Sequence, residues 1–130
     1  MPARILIADR SSALRAVIER AIGVAGLPVS GCRQAANAKE VLDLLQSSEI
    51  DLLLLDTHLP GIDEEQLIEA LNASGDGPPI RFLATSADAS SVRIERLLQA
   101  GACDYVLKPF SMPTLCARLE TALGMVYAGS

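Results

Sequence analysis

The chain has 130 residues, 50% of them hydrophobic and 21% charged, which fits one compact domain rather than a multidomain enzyme. Eleven Lys and Arg against sixteen Asp and Glu leave a net charge of −5, so no broad basic surface is available for phosphate backbones and nucleic acid is not an expected direct partner. Arg4, Asp9 and Arg10 interrupt the amino terminus where a signal peptide would need an apolar stretch, and the run Leu52 to Leu55 is too short for a bilayer. A soluble, cytoplasmic protein with no membrane partner is expected. Cys32, Cys103 and Cys116 are odd in number and far apart, with no C-x-x-C pair and one histidine, so buried or idle thiols are expected rather than a metal centre.

Short apolar runs alternate with amphipathic stretches five times, the pattern of repeated strand-helix units. Ile5 to Ala8 is the first strand, ended by Asp9. Ser11 or Ser12 then caps a helix whose inward face carries Leu14, Val17, Ile18, Ala21, Ile22 and Ala25, stopped by Gly26 and Pro28. A weaker strand follows over Val29 to Arg33, and Asn37 caps a second helix with Ala38, Val41, Leu42 and Leu45 inward. Leu52 to Leu55 is apolar on both alternating faces, as a central strand covered on both sides must be. Leu59-Pro60-Gly61 makes a turn, and a third helix from about Asp63 to Ala73 buries Leu67, Ile68 and Leu71. Gly75 to Pro79 reads as a surface loop and Ile80 to Thr85 as the fourth strand. The fourth helix presents Ile94, Leu97, Leu98 and Gly101, Tyr105 to Leu107 forms a short fifth strand, and Pro113 opens a helix burying Leu115, Leu119, Ala122, Leu123 and Val126. The domain is expected over residues 1–126, with 127–130 a short frayed tail.

Strand-helix alternation implies an α/β fold of parallel strands with right-handed crossovers, and functional loops at the carboxyl ends of the strands. Four strands end there in polar or ionisable groups: Asp9 and Arg10, then Asp56, then Thr85 and Ser86, then Lys108. A carboxylate nucleophile can take a phosphoryl group as an aspartyl phosphate, provided cations offset the approach of two negative groups. Lys108 and a divalent metal would supply that charge, and the hydroxyl of Thr85 or Ser86 could donate to the added oxygens.

Ile5 to Asp9, Asp51 to Asp56 followed by Leu59-Pro60-Gly61, and Ala100 to Phe110 with its Lys108-Pro109 together resemble the receiver domain of two-component response regulators, over nearly the whole chain. The resemblance implies a three-layer, doubly wound, flavodoxin-like (βα)5 fold with parallel strand order 2-1-3-4-5. It implies a phosphorelay protein rather than an enzyme, with Asp56 accepting phosphate from a histidine kinase or phosphotransfer protein. By the same likeness Lys108 pairs with acceptor and phosphoryl group, the bond before Pro109 is cis, and Asp9, Asp56 and the His58 backbone carbonyl hold Mg2+. Counting back from Lys108 favours Ser86 over Thr85 as the switch hydroxyl, with Thr85 left open. Tyr105 resembles the aromatic switch residue, or else packs as an ordinary strand aromatic. The His58 side chain is expected to face solvent.

Two positions depart from the family, of which Asp63-Glu64 in place of Asp-Gly at the start of the third helix is minor and the other bears on the site. Receivers carry two adjacent acids after the first strand, and the second is here Arg10. A guanidinium cannot ligate a cation, and two placements are open: it fills the metal's space between Asp9 and Asp56, or it swings into solvent beside a ligand-poor site. The alternative function follows, a phosphorylation-independent protein-interaction module of the same fold. An aspartate-nucleophile phosphatase of another α/β family is disfavoured, because the second Asp it needs two places after the nucleophile is here His58. With little beyond Val126, output is expected through a downstream protein docking on the face of the fourth helix, fifth strand and fifth helix, or through an unseen neighbour.

Overall fold

The computed structural model describes residues 2–72 and 80–128. Five strands, β1 (Ala3–Ala8), β2 (Val29–Ala35), β3 (Leu52–Asp56), β4 (Arg81–Ser86) and β5 (Ala102–Leu107), alternate with helices α1 (Ser12–Ala25), α2 (Ala38–Ser47), α3 (Glu64–Asn72), α4 (Ser91–Gln99) and α5 (Met112–Ala128). The strands form one parallel sheet in the order β2-β1-β3-β4-β5.

Capping explains where the helices begin. Ser11, not Ser12, caps α1, its side chain accepting from Leu14 N; Asn37 accepts from Glu40 N and Ser90 from Arg93 N. Asp63 Oδ1 takes Gln66 N at 3.2 Å ahead of α3. Gly26 ends α1 in the left-handed conformation at φ 68°, which a side chain would resist.

Strand alternation splits the core in two. Leu6, Ala8, Leu53, Leu55, Phe82 and Ala84 face one side, where Val41 of α2, Leu67 and Leu71 of α3 and Leu97 of α4 cover them. Ile5, Ile7, Leu52, Leu54, Leu83 and Val106 face the other, under Ile18 and Ile22 of α1 and Leu115, Leu119 and Leu123 of α5. All four leucines of β3 are buried, each worth about 1.5–3 kcal/mol on leaving water.

Several expectations need correction. Val17 and Leu98 are 50% and 45% exposed, and Ala25 is exposed, because each helix meets the sheet along a stripe narrower than its apolar sequence face. Gly101 lies beyond α4, at φ 114° in the turn into β5, where only glycine is unstrained. β2 continues to Ala35, β4 to Ser86, and β5 starts at Ala102. The last helix continues to Ala128, so the break after Val126 is set too early; residues 129–130, Ala73 and the Gly75–Pro79 loop lie outside the described residues. The three cysteines are half-buried free thiols rather than fully buried ones.

Candidate functional site

The carboxyl ends of β1, β3 and β5 bring Asp9, Asp56 and Lys108 to one rim. Parallel pairing aligns Ala8 with Leu55 and Asp56 with Thr85, so the residues that follow each strand arrive at one height. Both carboxylates are buried, Asp9 at 4% and Asp56 at 5% exposure. Lys108 Nζ lies 2.6 Å from Asp9 Oδ2 and 3.4 Å from Asp56 Oδ2, one ammonium shared by two acids. Burying two carboxylates together is costly without such a cation.

Backbone donors fix the remaining oxygens. Ser11 N donates to Asp9 Oδ1 at 2.8 Å and His58 N to Asp56 Oδ1 at 3.0 Å, while the Asp9 carbonyl accepts from Arg15 Nη1. These contacts leave the carboxylates facing an open cleft of about 520 Å3, whose walls include Arg10, Ser11, Leu14, His58 and Ala87. His58 is exposed, as expected, with Nδ1 3.4 Å from Thr57 Oγ1.

Arg10 lines this cleft but is exposed and makes no ion pair among the described residues, so of the two placements left open it takes the one toward solvent and not the one between Asp9 and Asp56. The cause is energetic. Lys108 already supplies the charge, whereas drawing a guanidinium in to the buried acids costs several kcal/mol of desolvation, of order more than an exposed pair returns.

The two hydroxyl candidates occupy different surroundings. Thr85 stands cross-strand from Asp56, and its carbonyl takes Thr57 N at 2.9 Å. Ser86 is fully buried; its Oγ accepts from Asp88 N at 3.0 Å and its carbonyl takes Lys108 N at 2.8 Å. Tyr105 is half-buried on the α4 side and donates its hydroxyl to the Asp88 carbonyl at 2.5 Å. Ser86 and Tyr105 thus hold the same residue of the β4–α4 loop, a link the sequence did not disclose. The Lys108–Pro109 bond is cis.

As a hard-cation site, the rim supplies oxygen donors of the right kind in the buried carboxylates of Asp9 and Asp56. Lys108 competes for the same two carboxylates, and the adjacent acid is missing at Arg10. The set fits Mg2+ in chemistry and is one anionic ligand short.

The family model described as the response regulator receiver domain matches residues 5–120. The chain belongs to the response regulator receiver family. A response regulator MprA from Mycolicibacterium vanbaalenii is 37% identical over 123 residues, which cover 95% of this chain and 51% of that protein. The response regulator MprA of Mycobacterium tuberculosis is 36% identical with the same coverage. The chain therefore spans about half the length of the curated relatives it matches. Among solved structures, a CheY-like receiver domain protein from Methanospirillum hungatei superposes with TM-score 0.84 at 24% identity, with both chains fully covered. A Burkholderia pseudomallei response regulator, solved with a phosphorylated aspartic acid, calcium ion and citrate, gives TM-score 0.74 at 23% identity, over 97% of this chain and 71% of that one.

The fold is the five-stranded, flavodoxin-like receiver architecture. Receiver domains are in general signalling domains rather than enzymes, and response regulators interact with histidine kinases or phosphotransfer proteins. Among the described residues no helix is long and apolar enough to cross a membrane.

Proposed function

We propose that this receiver accepts a phosphoryl group on Asp56 from a histidine kinase or phosphotransfer protein and thereby switches a protein-binding surface. The observation that carries the reading is the shared ammonium: Lys108 Nζ reaches both Asp9 and Asp56 at the mouth of an open cleft. An Asp56 oxygen attacks the phosphorus of a phosphohistidine, the P–N bond breaks, and the imidazole leaves with the electron pair. Lys108 pairs with the phosphoryl oxygens as they arrive, and Ser86, leaving its Asp88 contact, donates its hydroxyl to them. Mg2+ held by Asp9, Asp56 and the His58 carbonyl would neutralise charge on the incoming group. Loss of the Ser86–Asp88 contact releases the loop that Tyr105 holds, which alters the α4, β5 and α5 face where a downstream protein docks.

The test is intact-mass analysis after incubation with acetyl phosphate, with and without magnesium. One added phosphoryl group, absent in Asp56→Ala, supports the reading. No gain in mass under either condition favours the alternative, an interaction module that has lost its dependence on phosphate along with the acid replaced by Arg10.

A further inference from the structure

The peptide unit joining Thr57 to His58 is engaged at both ends. Its carbonyl oxygen lies 3.4 Å from Arg93 Nη2, and its amide donates to Asp56 Oδ1 at 3.0 Å. Arg93 comes from the first turn of α4, 36 residues from Thr57 in sequence, and its Nε is buried. Thr57 is buried at 4% exposure, and its own N–H is committed to the Thr85 carbonyl at 2.9 Å. With Thr57 anchored in this way, the unit cannot rotate to follow a displaced guanidinium without pulling the His58 amide off Asp56 Oδ1.

A cation on a peptide carbonyl draws electron density toward oxygen, which makes the N–H of the same peptide a stronger donor. Here that donor serves the carboxylate at the centre of the site. We infer that Arg93 is a positioning residue for Asp56, strengthening and aiming, through the Thr57–His58 peptide, the hydrogen bond that orients the carboxylate. The link runs both ways: a change of charge on Asp56 alters the hold of this peptide on Arg93, and with it the seat of α4. Its consequence for signalling rests on Asp56 being the phosphoacceptor; the hydrogen-bond coupling itself does not.

Two readouts test it in the full chain: the amide proton shift of His58 by NMR, and the initial rate of phosphorylation by acetyl phosphate. Arg93→Met should move the His58 amide upfield and slow phosphorylation about two- to fourfold, the scale of one cooperative contribution to a charge-assisted bond. Arg93→Lys, which keeps a cation on the same stem, should restore both toward wild type. A His58 shift unmoved in Arg93→Met, or an Arg93→Lys protein as perturbed as Arg93→Met, overturns the inference and leaves Arg93 a packing residue. Should Arg93→Met fail to fold, Arg93→Gln is read by the same criteria, with a smaller upfield move expected and none being decisive against. If the wild type takes no phosphoryl group, the functional reading fails while the His58 shift still decides the coupling.

Discussion

Lys108 Nζ is closer to Asp9, at 2.6 Å, than to Asp56, at 3.4 Å. The side chain named by the family likeness as the acceptor's partner thus rests mainly on the acid next door. Asp9 holds the ammonium at hand, and the ammonium in turn holds two buried carboxylates side by side.

Lys108→Ala removes that shared charge. The variant should fold but melt lower than wild type by an amount in the range of about 3–5 kcal/mol that uncompensated buried charge costs, with magnesium restoring part of the loss. Thermal melts with and without magnesium check this. A larger magnesium-induced shift in the variant than in wild type is expected, because ligand binding to the folded state adds stability and Lys108 no longer competes for the same oxygens.

Arg10→Asp should raise magnesium affinity at least tenfold, about 1.4 kcal/mol. Arg10 does not need to be evicted, since it lies exposed at the cleft. The gain comes from adding an anionic ligand and removing a positive charge beside the site. Calorimetric titration of the two proteins settles the point, equal affinities showing that Arg10 withholds nothing.

Tyr105→Phe deletes the donor to the Asp88 carbonyl while keeping the ring. A loss of about 1 kcal/mol is expected in chemical denaturation, and amide exchange over residues 87–90 should quicken more than in β4 itself. Unchanged exchange there would show that the hydroxyl does not hold the loop.

The thiols carry the alkaline side of stability. Burial pushes Cys103, Cys32 and Cys116 above the ordinary value of 9.0, with Asp104 adding to the effect on Cys103 and Glu19 on Cys32. With folded values raised, the folded state keeps protons that the unfolded chain gives up. The stability they contribute is whole below pH 9.0 and is lost as pH rises toward the folded values. Urea melts at rising pH should therefore show a decline above this point that is reduced in Cys103→Ala, and alkylation of the native protein at pH 8 should be slow.

The sequence was most legible where one cause acts alone. Leu52 to Leu55, four apolar residues too few for a helix and bounded by Asp51 and Asp56, is a strand covered on both faces, and Asn37 announces a helix by its cap. Edge strand β2 was traced two residues short, since an edge faces water and loses the apolar pattern that marks a strand. The rim acids and Lys108 are legible by position, and the pairing of Lys108 with Asp56 by family likeness, but its closer contact with Asp9 is not: the two are 99 residues apart, and only closure of the sheet decides that Lys108 rather than the adjacent Arg10 is the partner of Asp9. Contacts to backbone oxygens, such as Arg93 to Thr57 and Tyr105 to Asp88, leave no mark in residue type or spacing.

The alternation that divides the core also divides the labour of the rim. Continued past the strand ends, it assigns Asp9, Asp56 and Lys108 to the side covered by α1 and α5, whereas Ser86 and Tyr105 belong with α2, α3 and α4. The sheet between them is walled by buried apolar side chains, and its buried polar groups, Asp56, Thr85 and Ser86, stand at the carboxyl ends of β3 and β4. Chemistry done in one compartment reaches the other over the lip, by way of the Ser86 hydroxyl and the backbone amides and carbonyls of residues 56–58 and 85–88. In a receiver built this way a leucine cut back in the wall costs stability, whereas a single misplaced peptide at the crossing costs the signal itself.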